Sequence, residues 1–273
     1  MMAENIKQRP IGIFDSGVGG LTVTAEIMKR LPDENIVYFG DVGRAPYGGR
    51  SKETIISFTR QDINFLLEHQ VKFIIAACNS ATAAALETVV GEYDIDILGV
   101  IEPGAKAAVN YTANNRVGII GTVATISSDS YAKALQKISP DVKVFSLACP
   151  LFVPLAEEGY IEKEATRLIA RDYLKTLIDV DIDTLVLGCT HYPLLKGVIG
   201  EVMGDRVRLV DSAEETAREA AAVLGAKGLL RPRGSEVIHK FYVSDVPDKF
   251  SSVVERFIGY HINNITRIDI TRY

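Results

Sequence analysis

The sequence predicts an α/β protein made of two pseudo-symmetric, doubly wound domains with mainly parallel sheets. Three observations carry that prediction. Short apolar runs alternate with stretches of helical periodicity along most of the 273 residues, the pattern of helices laid on both faces of a parallel sheet. Two segments echo each other, Pro10-Ile11-Gly12-Ile13-Phe14-Asp15-Ser16 and Arg116-Val117-Gly118-Ile119-Ile120-Gly121-Thr122. Each sets a glycine inside an apolar run and closes on a hydroxyl residue. Two further stretches, Phe73-Ile74-Ile75-Ala76-Ala77-Cys78-Asn79-Ser80 and Thr184-Leu185-Val186-Leu187-Gly188-Cys189-Thr190-His191, run from apolar residues into a cysteine with polar neighbours. Cys78 follows Gly12 by 66 positions and Cys189 follows Gly118 by 71, in the same order. Matched order and spacing favour an internal duplication over chance.

Taken in order, Ile11–Phe14 reads as a strand and Leu21–Arg30 as a helix. Asn35–Phe39 is the next strand. Lys52–His69 carries Ile55, Ile56, Phe58, Ile63, Leu66 and Leu67 at helical spacing. Phe73–Ala77 is a third strand, followed by an alanine-rich helix over Ala81–Val90. The second copy begins near residue 98. After Cys189 come a helical stretch, the strand-like Arg206–Val210, and Asp211-Ser212-Ala213-Glu214-Glu215, which looks like a capped helix start. The tail, Glu236 to Tyr273, holds a strand at Ile238–Val243 and an amphipathic helix around Phe250–Ile258, and is expected to return to the first domain. The expected division is therefore 1–97 plus 211–273 for the first domain and 98–210 for the second. No long Gly/Ser/Pro linker separates them. Ligands of such sheets bind beyond the C-terminal strand ends, which predicts an interdomain active site.

Composition narrows the function. The chain is 47% hydrophobic and 24% charged, with a formal charge of -5, as in ordinary soluble proteins. Lys and Arg are scattered, so no nucleic-acid partner is expected. Met1 to Pro10 lacks the apolar core of a signal peptide, and no run approaches the ~20 apolar residues of a membrane span. A cytoplasmic protein without a membrane partner is expected. Three cysteines without a C-x-x-C, and four dispersed histidines (His69, His191, His239, His261), predict neither a disulfide framework nor a metal site.

The two matched cysteines are the leading chemical candidates. Each follows a strand and precedes a predicted helix, with Asn79, Ser80 and Thr190 as N-cap types and Pro193 suited to a first turn. A thiol at a helix start is expected to titrate below its usual value of about 8.5. Cys149, before Pro150 and without polar companions, reads as structural. Asp15-Ser16-Gly17-Val18-Gly19-Gly20 closes the first strand without matching G-x-G-x-x-G. Its carboxylate would repel a phosphate but suits an ammonium group, which points to an amine-bearing substrate. Asp41 to Gly49 is a long turn shaped by Pro46 and its glycines. His191 can polarise the nearby thiol. Glu157-Glu158 can place a carboxylate near the cleft to orient a thiol or histidine.

Asp15-Ser16-Gly17-Val18-Gly19-Gly20-Leu21, Pro46-Tyr47-Gly48, Ala77-Cys78-Asn79-Ser80-Ala81-Thr82, Glu157-Glu158-Gly159 and Gly188-Cys189-Thr190-His191-Tyr192-Pro193 together resemble the glutamate racemases. The resemblance runs in order through nearly the whole chain and includes Phe241-Tyr242-Val243-Ser244-Asp245. Ser80 stands where the family often has threonine, so the hydroxyl is kept. The resemblance implies cofactor-independent interconversion of L- and D-glutamate, supplying D-glutamate for peptidoglycan, by a homodimer. It implies that Cys78 acts on the D-isomer and Cys189 on the L-isomer. Asp15, Ser16, Tyr47, Gly48, Asn79, Ser80, Thr190 and His191 match substrate-binding positions, with Thr82 and Thr122 as additional contacts. Glu158 matches the supporting carboxylate behind them. Rival readings are an aspartate racemase, a decarboxylase needing only one of the thiols, a two-lobed binding protein needing neither, and a thiol redox or metal protein.

Overall fold

In the computed structural model, the described residues are 6–246, 250–259, 261–262 and 264–273. They form two sheets whose strand pairs are all parallel. The first contains β1 (Ile11–Asp15), β2 (Ile36–Gly40), β3 (Phe73–Ala76), β4 (Ile97–Gly99), and the late strands β9 (His239–Val243) and β10 (Ile265–Arg267). The second contains β5 (Arg116–Gly121), β6 (Lys143–Ala148), β7 (Thr184–Gly188) and β8 (Arg208–Asp211). The orders are β10-β9-β2-β1-β3-β4 and β6-β5-β7-β8. Within the first, β2-β1-β3-β4 repeats the order of the second. The tail joins the first sheet, since β9 pairs with β2. Residue 97 begins β4 and Asp211 ends β8, so each expected boundary cuts one strand rather than a loop.

Register makes the repeat specific. Gly12 lies opposite Ile74, and Gly118 lies opposite Leu185. Cys78 stands four positions beyond Ile74, and Cys189 four beyond Leu185. The two thiols therefore occupy equivalent points of two equivalent strand pairs. Strands buried on both faces need continuous apolar sequence, and β1, β2, β3 and β7 are buried throughout. Each fully buried aliphatic or aromatic side chain contributes roughly 1.5–3 kcal/mol.

Helices Leu21–Arg30 and Lys52–Glu68 follow β1 and β2 as their periodicity predicts. The alanine-rich helix differs from expectation. An α-turn at Asn79–Ala81 passes into a π-turn at Thr82–Leu86, then α-helix at Glu87–Val89 and a 3₁₀ turn at Val90–Glu92. A π-turn inserts a residue and rotates what precedes it, and what precedes it is the Cys78 turn. Helix Ser212–Ala226 opens on Asp211, whose side chain accepts from the Ala213 amide at 2.9 Å, as its sequence predicts. It packs on both Leu21–Arg30 and Ile101–Tyr111, joining the two halves. None of the described helices is long and apolar enough to cross a membrane.

Candidate active site

β3 ends at Ala76, and Cys78 is itself the N-cap of the next turn, its sulfur accepting from the Ala81 amide at 3.4 Å. Asn79 and Ser80, the expected caps, lie inside that turn. The thiol donates to Ser16 Oγ at 3.3 Å. Asp15 is buried and accepts from the Gly17 amide at 2.9 Å through Oδ2, while its Oδ1 has no protein partner. Burial raises the Asp15 carboxyl, against the lowering charge of His191 and the amides of Gly20, Gly17 and Ser16. Burial, then the charge of Asp15, push the Cys78 thiol up to about 12. The expected depression by a helix start is thus overturned for Cys78. A turn this short has little dipole, and loss of water outweighs it.

Cys189 sits on different neighbours. The chain past β7 enters a 3₁₀ turn at Tyr192–Leu195 with Pro193 in its first positions, and no side chain caps it. The expected helix begins only at Lys196 and runs to Met203. Cys189 Sγ faces His191 Nδ1 at 3.9 Å, and His191 Nε2 meets Glu157 Oε1 at 2.9 Å. Burial would lower the imidazole, but hydrogen bonds to Cys189 and Glu157 and their charges raise it to about 10. Phe257 packs edge-on against the imidazole, with ring centroids 5.1 Å apart. Both thiols are nearly inaccessible, at 5% exposure each.

The two clusters meet. Ser80 Oγ lies 3.0 Å from Thr122 Oγ1, Tyr131 donates to Asn79 Oδ1 at 2.8 Å, and Thr22 Oγ1 reaches the Thr190 carbonyl at 3.1 Å. Gly19 shows how close the approach is, for a methyl there would stand 2.2 Å from Thr190 Oγ1. Only glycine allows the Asp15 loop against the Thr190–His191 turn. Asn79 Nδ2, like Asp15 Oδ1, is buried without a protein partner. A buried acceptor and a buried donor left open beside Cys78 complement the ammonium and carboxylate of an amino acid.

The structure thus brings together Asp15, Ser16, Asn79, Ser80, Thr190 and His191 around the thiols. Gly48 packs on Thr122. Tyr47 behaves otherwise. It is fully buried, and its hydroxyl is hydrogen-bonded to Asp41 Oδ2 at 2.5 Å and Asp62 Oδ2 at 3.0 Å. Thr82 spends its hydroxyl on the Ala76 carbonyl at 3.1 Å. The carboxylate on His191 belongs to Glu157, whereas Glu158 is the C-cap of Phe152–Glu157 and its amide bonds the Pro154 carbonyl at 2.9 Å. The resemblance named Glu158 for this place, but it is its neighbour Glu157, at the end of the short helix, whose carboxylate meets the imidazole. Cys149 is buried in the same core cluster as Cys189, and its thiol lies near the Leu147 carbonyl at 3.9 Å. Sequence reasoning missed Tyr131 and the buried Asp41–Arg44–Asp62 network behind Tyr47, where Arg44 Nε meets Asp41 at 2.6 Å and Nη2 meets Asp62 at 3.3 Å. Buried carboxylates at Asp41 and Asp62 carry no local motif. No cluster of three or more metal-ligating side chains occurs among the described residues.

Two α/β halves with thiols at equivalent points of equivalent strand pairs, and with neighbours that touch, define a class of two-lobed α/β proteins. Residues 19–220 match the profile described as Asp/Glu/Hydantoin racemase, and the chain belongs to that family. It is 51% identical over 262 residues to a glutamate racemase of Geobacter metallireducens, covering 96% of this chain and 97% of that one. A glutamate racemase of Neisseria meningitidis serogroup A is 50% identical, covering 98% and 99%. Among solved structures, the glutamate racemase isoform RacE1 of Bacillus anthracis superposes with a TM-score of 0.93 at 41% identity, covering 96% and 98%. The Francisella tularensis glutamate racemase in complex with D-glutamate gives 0.92 at 39% identity, covering 98% and 100%.

Proposed function

We propose that this chain interconverts L- and D-glutamate without a cofactor, with Cys78 and Cys189 as the two acid/base groups. The observation that carries the reading is their register equivalence, four positions past matching strand pairs, with neighbours that touch. The relatives named glutamate racemases support the substrate. Enantiomers are mirror images at Cα, so a proton must leave one face and another arrive on the opposite face. Two similar groups on opposite sides meet that need.

The steps follow from the neighbours. Asp15 Oδ1 takes the substrate ammonium. Asn79 Nδ2 donates to a carboxylate, with Ser80, Thr190 and nearby amides as further donors. For L-glutamate, the Cys189 thiolate, facing a protonated His191, removes the Cα proton. The carbanion then takes the proton of the Cys78 thiol on the other face, giving D-glutamate. At the end of this pass Cys189 carries a proton and Cys78 the charge; the reverse reaction restores the start directly, and a further L-to-D pass requires Cys189 to release its proton to water and Cys78 to take one up. The high proton affinity of Cys78 suits it to hold its proton before substrate arrives. Bound ammonium offsets the Asp15 charge beside Cys78, easing its later deprotonation. Glu157 keeps His191 oriented and charged. Exclusion of water strengthens each of these interactions.

In the cell this activity supplies D-glutamate for peptidoglycan, from a cytoplasmic homodimer; the peptidoglycan role and the dimer rest on the resemblance to glutamate racemases, and the cytoplasmic placement on the sequence's lack of a signal-peptide core. Incubating the purified chain in D2O with L- or D-glutamate tests the reaction. Deuterium should enter Cα from either enantiomer while optical rotation decays to zero. Unchanged rotation with no exchange overturns the reading.

A further inference from the structure

One buried side chain touches both thiol-bearing turns, and the mechanism above does not use it. Tyr131, in helix Ser130–Ile138 of the second half, is 2% exposed. Its hydroxyl donates to Oδ1 of Asn79, the residue after Cys78, at 2.8 Å. Its ring lies against Gly188, the residue before Cys189, where a methyl would stand 3.1 Å from Tyr131 Cε2. On the ring's other edge, a methyl at Gly104 would stand 3.3 Å from Cε1. Glycines at both places leave the slot the ring occupies.

An asparagine amide can present either its oxygen or its NH2 to a ligand. The Tyr131 hydroxyl occupies the oxygen, and the NH2 is then the end left buried without a protein partner. A flipped amide would turn an acceptor toward the substrate carboxylate and repel it. We propose that Tyr131 is a positioning residue: it fixes the Asn79 amide with its donor toward the substrate and ties that donor to the turn carrying Cys189. The proposal rests on the reading of Asn79 as a substrate contact. Its consequence is that recognition beside one thiol depends on a side chain from the half that bears the other.

The test is a double-mutant cycle in the full chain, using Tyr131→Phe, Asn79→Ala and the pair. Phenylalanine keeps the ring and removes only the hydroxyl. Tyr131→Phe should raise KM for both enantiomers about tenfold and leave kcat within about twofold, the loss of one oriented hydrogen bond. In the Asn79→Ala background the same change should add nothing. An unchanged KM in Tyr131→Phe, or two losses that multiply in the pair, overturns the proposal, because a merely structural tyrosine would act independently of Asn79. If Tyr131→Phe melts early, calorimetric binding of D-glutamate at a temperature where circular dichroism shows full folding reads the same cycle. An Asn79→Ala chain with normal KM overturns both the Asn79 contact and the Tyr131 role. Wild-type exchange in D2O separates that outcome from failure of the racemase reading.

Discussion

The surroundings of Cys78 and Cys189 start from equivalent backbone positions and end in opposite electrostatics. Behind Cys78 stands Asp15, a buried carboxylate that raises the thiol. Behind Cys189 stands His191, held by Glu157 and raised to about 10. In the repeat, Ser16 corresponds to Thr122 and Ser80 to His191, so the two halves share a scaffold while the groups around each sulfur differ. Enantiomers have equal free energies in water, so this divergence cannot move the equilibrium. It bears on proton affinity, which burial and the Asp15 charge raise at Cys78.

The strongest way to break the comparison is to remove one sulfur at a time. Cys78→Ser and Cys189→Ser should each lower racemisation by at least about a thousandfold, since a serine hydroxyl is a far weaker acid/base partner. A glutamate analogue with a leaving group at the β-carbon needs only one base to eliminate. Cys78→Ser should eliminate only the L-analogue and Cys189→Ser only the D-analogue. Elimination of both by either variant sinks the division of faces, and chromatographic assay of the keto product reads it.

Asp15→Asn addresses the Cys78 side first. It should reduce kcat roughly a hundredfold and raise KM, because the substrate ammonium loses its partner. It should also move the basic group seen in the D-to-L rate to lower pH, because the charge that lifts Cys78 is gone. A pH–rate profile identical to wild type would show that Asp15 does not sense the thiol.

His191→Asn addresses the other side, with an expected loss of roughly tenfold to a hundredfold in L-to-D turnover. Stability gives an independent reading. The folded-state value is raised to about 10 against an ordinary value near 6.5. Stability from this group is complete below about pH 6.5 and is lost as pH rises through about 10. The melting-temperature gap between wild type and His191→Asn should therefore be largest near pH 6 and close above about pH 10. A gap that widens with pH contradicts the pairing of His191 with Glu157 and Cys189.

Much of this was legible in the sequence because it is local or repeated. Alternating apolar runs and helical periods placed β1, β2 and β3 to within a residue, and the Gly12–Gly118 echo located the equivalence of the thiols. Three things were not legible, each for a physical reason. The π-turn at Thr82–Leu86 lies in an alanine-rich run that suits α- and π-turns alike. The choice of Glu157 over Glu158 depends on where a short helix ends and which way it faces. Tyr131 reaches Asn79 across 52 positions of sequence, and the Arg44–Asp62 pair spans 18. Such long-range polar contacts leave no periodic trace, and burial at Cys78, with the Asp15 charge second, reverses a helix-start rule that considers only the local backbone.

The smallest expected effect tests the equivalence itself, away from any chemistry. Gly12 and Gly118 are matched in register, and so are the side chains above them. A methyl at Gly12 would stand 3.0 Å from Val71 Cγ1, and one at Gly118 would stand 2.5 Å from Ile182 Cδ1. Val71 and Ile182 each precede the partner of their glycine by three positions, Ile74 and Leu185. Overpacking a core by one methyl costs about 1–3 kcal/mol. Val71 is branched at Cβ and cannot swing aside, while the longer Ile182 can rotate its end, so the closer contact is also the softer one. Gly12→Ala and Gly118→Ala should therefore destabilise by amounts within about 1 kcal/mol of each other, read from denaturant midpoints at unchanged slope. A large inequality would mean that the two halves share strand order but no longer share the packing that sets their thiols at the same depth.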